Sequence, residues 1–246
     1  MNNLNPHNAP LLTVEHIDKY YGNQGSVTQA LHQVDFSIQV GEFVSIMGAS
    51  GSGKTTLLNC ISTIDSVSSG HIFLHGKDLT VIDENEMADF RRDNLGFVFQ
   101  DFNLLDTLTL EENIALPLTI SEMPAAEITA RVIAISERLQ LTDALKKFPF
   151  QVSGGQKQRC AFARAVICEP KLIMADEPTG SLDSHSAHML LEIMTKLHAG
   201  LPATILMVTH DAYSASFTNR ILFLRDGKIF NEILKGEKPR SVFYHE

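Results

Sequence analysis

The sequence of 246 residues contains no tryptophan and only three cysteines, Cys60, Cys160 and Cys168. Three is an odd number, and the spacing of these residues does not fit a zinc site. We therefore expect reduced thiols of the kind found in cytosolic proteins. Cys160 and Cys168 are expected in a helix and at its exit, where they serve as small apolar side chains.

Long apolar runs and an excess of basic residues are also missing. No apolar run approaches the roughly 20 residues that a membrane helix needs, and residues 1–12 lack the basic start and apolar core of a signal peptide. Lys and Arg number 20 against 29 Asp and Glu, a net charge of −9. This balance argues against a nucleic-acid surface, although backbone amides and one lysine can still bind a nucleotide. A role at a membrane would require another chain to hold the protein there.

Apolar patterning predicts an α/β fold. Segments 34–40 and 72–74 alternate apolar and polar residues, which predicts an antiparallel β layer whose first strand ends at Gly41. Segments 43–47, 172–175 and 204–208 are short continuous apolar runs separated by helical patterns. Such runs are typical of buried parallel strands with crossover helices.

The remaining segments predict helices and a hairpin. Helix formers gather between positions 105 and 150, with one helix from Met123-Pro124 to about Leu139, which indicates a helical insert. A turn at 225–228 between apolar segments predicts a β-hairpin. The polar tail, 236–246, gives no structural prediction.

The strongest local signal is the segment GASGSGKT at 48–55, directly after the predicted strand 43–47. Its glycines let the backbone curl so that N–H groups point at phosphate oxygens, and a helix starting near Lys54 adds its positive end. In this motif the lysine neutralises the β- and γ-phosphates, and the Thr55 hydroxyl coordinates Mg²⁺. A glycine-rich turn with a surface lysine is the alternative, and the strand–loop–helix context disfavours it. The predicted nucleotide-binding residues are Gly48, Ala49, Ser50, Gly51, Ser52, Gly53, Lys54, Thr55 and Thr56.

Two acids, Asp176 and Glu177, follow the apolar run 172–175. We expect Asp176 to orient the water shell of Mg²⁺ and Glu177 to polarise an attacking water. Solvated acids at a strand end are an equally good interpretation of this pair alone. A phosphate-binding loop by itself also fits kinases and GTPases as well as ATPases.

The segment VSGGQKQR at 152–159 decides between these classes. Ser153 is a good helix N-cap, and Gly154 and Gly155 free the backbone amides in front of a predicted helix through Ala165. With Gln156, these residues make a second anion site, which is useful on this chain if it serves another subunit. Together the motifs resemble those of ABC ATPases over roughly residues 12–244.

That resemblance implies a P-loop NTPase (RecA-like) core with an N-terminal antiparallel β subdomain and a helical subdomain insert. The chain would be one ABC ATPase domain, 1–246, in which 1–100 and 166–246 form the β subdomain and core. Residues 101–165 would form the helical subdomain that carries the signature motif. The implied activity is hydrolysis of ATP with Mg²⁺.

The resemblance also assigns single residues. Gln100 matches the Q-loop glutamine that reaches Mg²⁺ and the attacking water, and His210 matches the switch histidine that contacts the γ-phosphate. Asp183 lies in the D-loop, which crosses the dimer interface. Tyr21 is the candidate for stacking on adenine, with Tyr20 as the alternative, and one of this pair is expected in the core. The implied catalytic residues are Glu177, His210 and Gln100, and the implied metal ligands are Thr55, Gln100 and Asp176.

Within the superfamily, the segment 97–105 is similar to the group of lipoprotein-release and macrolide-export ATPases. The segments SIMGAS at 45–50, STID at 62–65 and LDTL at 105–108 resemble the bacitracin- and lantibiotic-resistance (Bce-type) ATPases. Val152 departs from the usual signature leucine. This resemblance implies a permease chain, two copies of the ATPase packed head to tail, often a sensor histidine kinase, and no nucleic acid. The implied location is the cytoplasmic face of the membrane, with the permease holding the protein near 102–105.

Other functional classes fit less well. A DNA-repair ABC ATPase needs a long coiled-coil insertion, but only 53 positions separate Gln100 from Ser153. A ribosome-associated ABC ATPase usually carries two cassettes on one chain, and here there is one. A regulatory, non-hydrolysing subunit is disfavoured because Glu177 and His210 are both present.

Overall fold

The computed structural model describes residues 9–22, 26–200 and 203–244. Residues 1–8, which carry part of the expectation about a signal peptide, lie outside them. The chain divides into two compact units, Met1–Arg91 with Thr204–Glu246, and Arg92–Ala203. Among the described residues, none of the helices has the length and apolar character needed to cross a membrane.

The elements of the first unit begin with a β-rich half and end with a short helix. They are, in chain order, β1 (Leu12–Tyr21), β2 (Thr28–Ile38), β3 (Phe43–Met47), α1 (Lys54–Ile61), β4 (Ser69–Leu74), β5 (Lys77–Asp78), α2 (Glu84–Asn94, which runs into the second unit), β8 (Thr204–Thr209), α7 (Ala212–Ala215), β9 (Arg220–Arg225), β10 (Lys228–Leu234) and α8 (Arg240–Phe243).

The second unit is mainly helical. Its elements are β6 (Leu95–Val98), α3 (Leu110–Ile120), α4 (Ala125–Arg138), α5 (Gly154–Val166), β7 (Leu172–Asp176) and α6 (Ser184–Gly200).

The predicted antiparallel layer is confirmed as a sheet of order β2-β1-β4-β5. Leu12, Val14 and Ile17 on β1 are at most 2% exposed, so one face of this layer is core. The prediction that β2 continues to Gly41 is wrong. The strand ends at Ile38, and Val40 is 58% exposed. A turn ends the strand, because the Gln39 N–H donates to the Glu42 carboxylate at 2.7 Å and the Glu42 N–H donates back to the Gln39 carbonyl.

The second sheet of this unit has β3 at its centre, in parallel with β8 on one side and β9 on the other. Phe43, Val44 and Ile46 are at most 1% exposed, which explains the unbroken apolar run. β9 and β10 form the predicted hairpin, with Asp226 and Gly227 both at positive φ in the turn. β3 therefore brings the chain to Gly48 from the middle of a rigid sheet.

The tail that gave no prediction forms α8. Its Phe243 is 3% exposed and packs with Ala215 and Ile221. The Arg240 guanidinium lies over the Phe217 ring at 4.1 Å, and the Tyr244 ring meets the Tyr213 ring edge-on. α8 is thus held against the segment that follows β8.

In the second unit β6 and β7 pair in parallel, Leu95 beside Leu172. The predicted helix from 123 to about 139 is confirmed as α4, which begins directly after Pro124. α3 starts with a capping box, in which Thr109 and Glu112 satisfy each other's backbone N–H groups. The fully buried Phe162 of α5 lies in the core of this unit.

Candidate nucleotide-binding and hydrolysis residues

The phosphate-binding loop connects β3 to α1 in the first unit. Gly51 has φ 78° and Gly53 φ 103°, conformations that L side chains rarely adopt. A Cβ at Gly53 would also lie 2.6 Å from the Ala30 carbonyl oxygen. Both the backbone conformation and the lack of space for a Cβ therefore require glycine at position 53. The predicted start of α1 near Lys54 is confirmed.

The Lys54 side chain folds back over this loop. It is 7% exposed, and its Nζ donates to the carbonyls of Gly48 at 2.9 Å and Ala49 at 3.0 Å. The Ser52 hydroxyl is buried and has no hydrogen-bond partner among the described residues. A buried cation, an unsatisfied hydroxyl and the positive end of α1 are the surroundings that a phosphate chain needs.

Tyr20 and Tyr21 end β1, and the structure distinguishes them. Their side chains are 45% and 42% exposed, because the strand ends at the protein surface. The expectation that one of them lies in the core is therefore wrong. The Tyr21 hydroxyl donates to Asp65 Oδ2 at 2.6 Å. Lys19 Nζ donates to Asp65 Oδ1 at 2.5 Å and lies 4.9 Å from the Tyr21 ring centroid. The Tyr21 ring is therefore anchored, with a half-exposed surface.

This anchor shifts the pKa of both partners. Burial raises the pKa of the Tyr21 phenol, and the hydrogen bond to Asp65 adds to the effect, to a value of about 12. A bond with the Thr56 side chain on α1 opposes it. Burial alone would raise the pKa of the Asp65 carboxyl, but hydrogen bonds from Lys19 and Tyr21 outweigh it and lower that pKa. The pair is thus a carboxylate and a neutral phenol over a wide pH range.

His210 directly follows β8 and has an exposed side chain. Its backbone is fixed by the next residue, because the Asp211 N–H donates to the Thr209 hydroxyl at 3.0 Å. The Asp211 carboxylate in turn caps α7 by accepting from the N–H groups of Tyr213 and Ser214. The imidazole is therefore presented from a well-held turn.

Glu177 in the second unit has φ 47°, a left-handed conformation that is uncommon for a residue with a side chain. Asp176 ends β7, and the Gly180 N–H closes a turn by donating to the Glu177 carbonyl at 2.9 Å. A backbone held in such a conformation stores strain that its surroundings must offset, and such residues cluster at functional sites. Glu177 is one of eleven described non-glycine residues with positive φ, so this conformation supports a functional role together with its motif.

Gln100 lies against this turn. A Cβ on Gly180 would be 2.9 Å from Gln100 Nε2 and 3.0 Å from its Cδ. The absence of a side chain at position 180 gives the Gln100 carboxamide its place. Within the second unit, Gln100 and the turn after Glu177 are thus brought together.

The signature segment begins α5. Ser153 and Gln156 form a capping box, since Ser153 Oγ accepts from the Gln156 N–H and Gln156 Oε1 accepts from the Ser153 N–H. A Cβ on Gly155 would lie 2.8 Å from Ser186 Oγ, and one on Gly154 would be 3.7 Å from Leu182. The segment thus lies beside the predicted D-loop, where Asp183 accepts hydrogen bonds from Ser186 and the His185 N–H.

Three residues escaped prediction as contributors to the site, Asp65, Gln158 and Arg164. Asp65 belongs to the segment at 62–65, which indicated only a resemblance to the Bce-type ATPases. Gln158 and Arg164 lie on α5, and both bond to backbone carbonyls about 60 positions away in sequence. No local pattern predicts such contacts, because their partners are backbone carbonyls, which every residue carries.

Among the described residues, no group of three or more His, Cys, Asp and Glu side chains could hold a metal ion.

Comparison with known proteins agrees with these features. The profile of the family described as ABC transporter matches residues 31–180. The chain is 51% identical over 238 residues to the ABC transporter ATP-binding protein YxdL of Bacillus subtilis (strain 168), covering 97% of this chain and 92% of that protein. It is 47% identical over 236 residues to the bacitracin export ATP-binding protein BceA of Halalkalibacterium halodurans, covering 96% and 93%.

A solved structure is similar over nearly all of the fold. It is the dimeric post-hydrolysis state of the ATP-binding cassette MJ0796 bound to ADP and Pi. The TM-score is 0.83 and the sequences are 37% identical, over 91% of this chain and 98% of the other.

Proposed function

Because this chain belongs to the ABC transporter family, in which it is an ATP-hydrolysing subunit, we propose that two copies of it close on ATP and reopen after hydrolysis. This cycle would drive a permease that confers resistance to antimicrobial peptides. The observation that supports the proposal is the capped, glycine-bearing start of α5, which we propose as a second anion site. One chain has no use for it in addition to its own phosphate-binding loop.

The proposed binding roles follow the chemistry of each group. When ATP binds, Lys54 replaces its hydrogen bonds to the loop carbonyls with hydrogen bonds to the β- and γ-phosphates. The Ser52 hydroxyl then bonds to a phosphate oxygen. The Tyr21 ring stacks on adenine, an interaction worth about 1–3 kcal/mol per base in nucleic-acid systems. In the head-to-tail pair, Ser153, Gly154, Gly155 and Gln156 of one copy bind the γ-phosphate held by the other.

The proposed hydrolysis needs one water molecule and no covalent intermediate. Glu177 polarises the water, whose oxygen attacks the γ-phosphorus while the bond from that phosphorus to the β–γ bridging oxygen breaks. The products are ADP and phosphate. Gln100 orients the water, and His210 donates to the γ-phosphate. Thr55, Gln100 and Asp176 carry the oxygen ligands that Mg²⁺ prefers, and Mg²⁺ when bound neutralises phosphate charge.

The resistance function is supported by the 47% identity to a bacitracin export ATPase. The permease would bind the segment from Phe102 to Leu105 in the proposed helical subdomain, 101–165, where Leu105 is 47% exposed. It would hold the protein at the cytoplasmic face of the membrane. A sensor kinase in the same complex is proposed from the Bce-type resemblance.

The chemical test is Glu177→Gln. Loss of the positioned base should lower kcat by roughly 10²–10⁴-fold while ATP still binds. Glu137→Gln, the same change on the exposed side of α4, is the matched control and should hydrolyse at the parental rate. A Glu177→Gln variant that also keeps the parental rate would rule out the proposed base.

A further inference from the structure

The Gln158 side chain of α5 is fully buried and joins two backbone segments. Its Nε2 donates to the Phe99 carbonyl at 3.0 Å and to the Pro178 carbonyl at 2.7 Å. Phe99 immediately precedes Gln100, and Pro178 immediately follows Glu177. Both hydrogens of the Gln158 side-chain amide are therefore donated to carbonyls of residues adjacent to Gln100 and Glu177. These two residues are the ones proposed to orient and polarise the attacking water.

The same helix holds the chain on the other side of Gln100. Arg164 Nη1 donates to the Asn103 carbonyl at 2.7 Å, and Nη2 donates to the Phe102 carbonyl at 3.1 Å. Phe102 and Asn103 both have positive φ, 61° and 48°. Charge-assisted bonds of this kind are stronger than neutral ones, so an irregular loop is fixed at both of its ends by α5.

Such bracing matters because the backbone to be held is strained. Glu177 has φ 47°, and a non-glycine residue keeps that conformation only when its neighbours over-determine it. The Pro178 carbonyl is one of those constraints, and Pro178 has no N–H to offer a second bond. The described hydrogen bonds of Gln158 go to the backbone carbonyls of the residues next to Gln100 and Glu177.

We propose that Gln158 is a positioning residue for hydrolysis, which sets the relative placement of Gln100 and Glu177 through their neighbouring carbonyls. The proposal rests on the proposed roles of those two residues. It requires that loss of the Gln158 donors lower the rate of the chemical step and leave ATP binding unchanged. Lys54 and Tyr21 are the proposed binding groups, and their described hydrogen bonds go to the Gly48 and Ala49 carbonyls and to Asp65.

The test uses the full chain carrying Gln158→Met, which has a similar volume and no donor. We expect kcat for phosphate release to fall about 10- to 100-fold, the cost of a misplacement of about 1 Å. The dissociation constant for ATP, measured by calorimetry, should stay within about twofold. If kcat is unchanged in the folded variant, Gln158 has only a structural role and the proposal is overturned.

Asn113→Leu is the matched control for loss of a buried carboxamide. Asn113 is also fully buried and donates to backbone carbonyls, those of Leu105, Leu108 and Thr109. We expect it to lower the thermal midpoint at least as much as Gln158→Met, with kcat at the parental value. If both variants lose kcat in proportion to their loss of stability, the positioning role is overturned.

Gln158→Glu provides a second readout, which also serves if Gln158→Met does not fold. The protonated carboxyl keeps one donor for the two carbonyls, whereas the carboxylate has none and is repelled by both. The ratio of the variant's kcat to that of the parent should therefore fall as pH rises through the pKa of the carboxyl introduced at position 158. A ratio independent of pH contradicts the proposal. If Glu177→Gln is inactive while Gln158 variants are fully active, the proposed function stands and only the positioning role fails.

Discussion

The hydroxyl of Tyr21 donates a 2.6 Å hydrogen bond to Asp65, which lies 44 positions later and just beyond the end of α1. Asp65 at the same time accepts from the buried Lys19, whose Nζ also donates to the Ser66 carbonyl. The aromatic side chain at the end of β1 is thus tied to the helix that begins in the phosphate-binding loop. This link fixes the platform proposed for adenine relative to the residues proposed for the phosphates.

Substitutions at this pair should affect binding of the base and spare binding of phosphate. We expect Tyr21→Ala to weaken ATP binding by about 1–3 kcal/mol, which corresponds to roughly 5- to 150-fold in Kd. Tyr21→Phe and Asp65→Asn keep a ring and should weaken ATP binding less. Calorimetry with inorganic tripolyphosphate, which has no base, should give the parental Kd for all three. Equal losses for ATP and tripolyphosphate would show that the pair only maintains the fold.

Tyr20→Ala is the control for the choice between the two adjacent tyrosines. Its side chain is as exposed as that of Tyr21, but only the Tyr21 hydroxyl is bonded to Asp65 in the described hydrogen bonds. We expect parental ATP affinity for Tyr20→Ala. If this variant loses affinity and Tyr21→Ala does not, the adenine platform has been assigned to the wrong residue.

Alkaline titration tests the environment of Tyr21. Its pKa of about 12, against an ordinary value of 10.0, means that the folded state holds the phenol proton more tightly than the unfolded state. The resulting stability is fully present below pH 10 and is lost as pH rises toward 12. The chain has four tyrosines, so a difference in absorbance at about 295 nm between the parent and Tyr21→Phe isolates this phenol. At about pH 11, with circular dichroism showing an intact fold, Tyr21 should remain mostly neutral, and a fully ionised Tyr21 contradicts the structure.

Lys54→Ala should weaken nucleotide binding itself. The side chain is buried over the loop, bonded to the Gly48 and Ala49 carbonyls. Loss of charge-assisted bonds to phosphate costs about 1.5–3 kcal/mol, or roughly 10- to 150-fold in Kd. Here tripolyphosphate and ATP should lose affinity together, the opposite of the result expected at Tyr21. Unchanged affinity for both ligands would show that the loop does not bind phosphate.

Gly180→Ala should disturb Gln100 without unfolding the protein. The added Cβ would lie 2.9 Å from Gln100 Nε2, the flexible end of an exposed side chain, so the side chain moves rather than the backbone. We expect kcat to fall by up to about 100-fold with ATP affinity unchanged. In a double-mutant cycle, Gly180→Ala should add nothing to the effect of Gln100→Ala. Fully additive losses would mean that Gly180 acts on another group.

Local sequence was sufficient wherever one continuous segment contains the information. The strand at 43–47 was predicted to the residue, and the start of α1 was predicted near Lys54, where it lies, because strand, loop and helix follow one another directly. The end of β2 was missed, since the Gln39–Glu42 turn competes with an alternating pattern that continues to Val40.

Local sequence patterns could not predict contacts between segments that are distant in the chain. The anchoring of Tyr21 by Asp65 and the bonds of Gln158 depend on segments 44, 59 and 20 positions apart. α8 is stabilised because Phe243 packs against Ala215 and Ile221 in the folded chain. The polar sequence of the tail does not indicate this packing. Spatial neighbours therefore decide which of two adjacent tyrosines is bonded to Asp65 and which residues brace the proposed catalytic turn.

Each ATP site is proposed to need two copies of this chain, and sedimentation velocity of Glu177→Gln tests this requirement most directly. With saturating Mg-ATP the variant should double its mass, and without nucleotide it should not. Ser153→Arg on the same background keeps the phosphate-binding loop and should stay at the smaller mass with Mg-ATP. A Glu177→Gln protein that never doubles, or a Ser153→Arg variant that doubles equally well, would contradict the shared site.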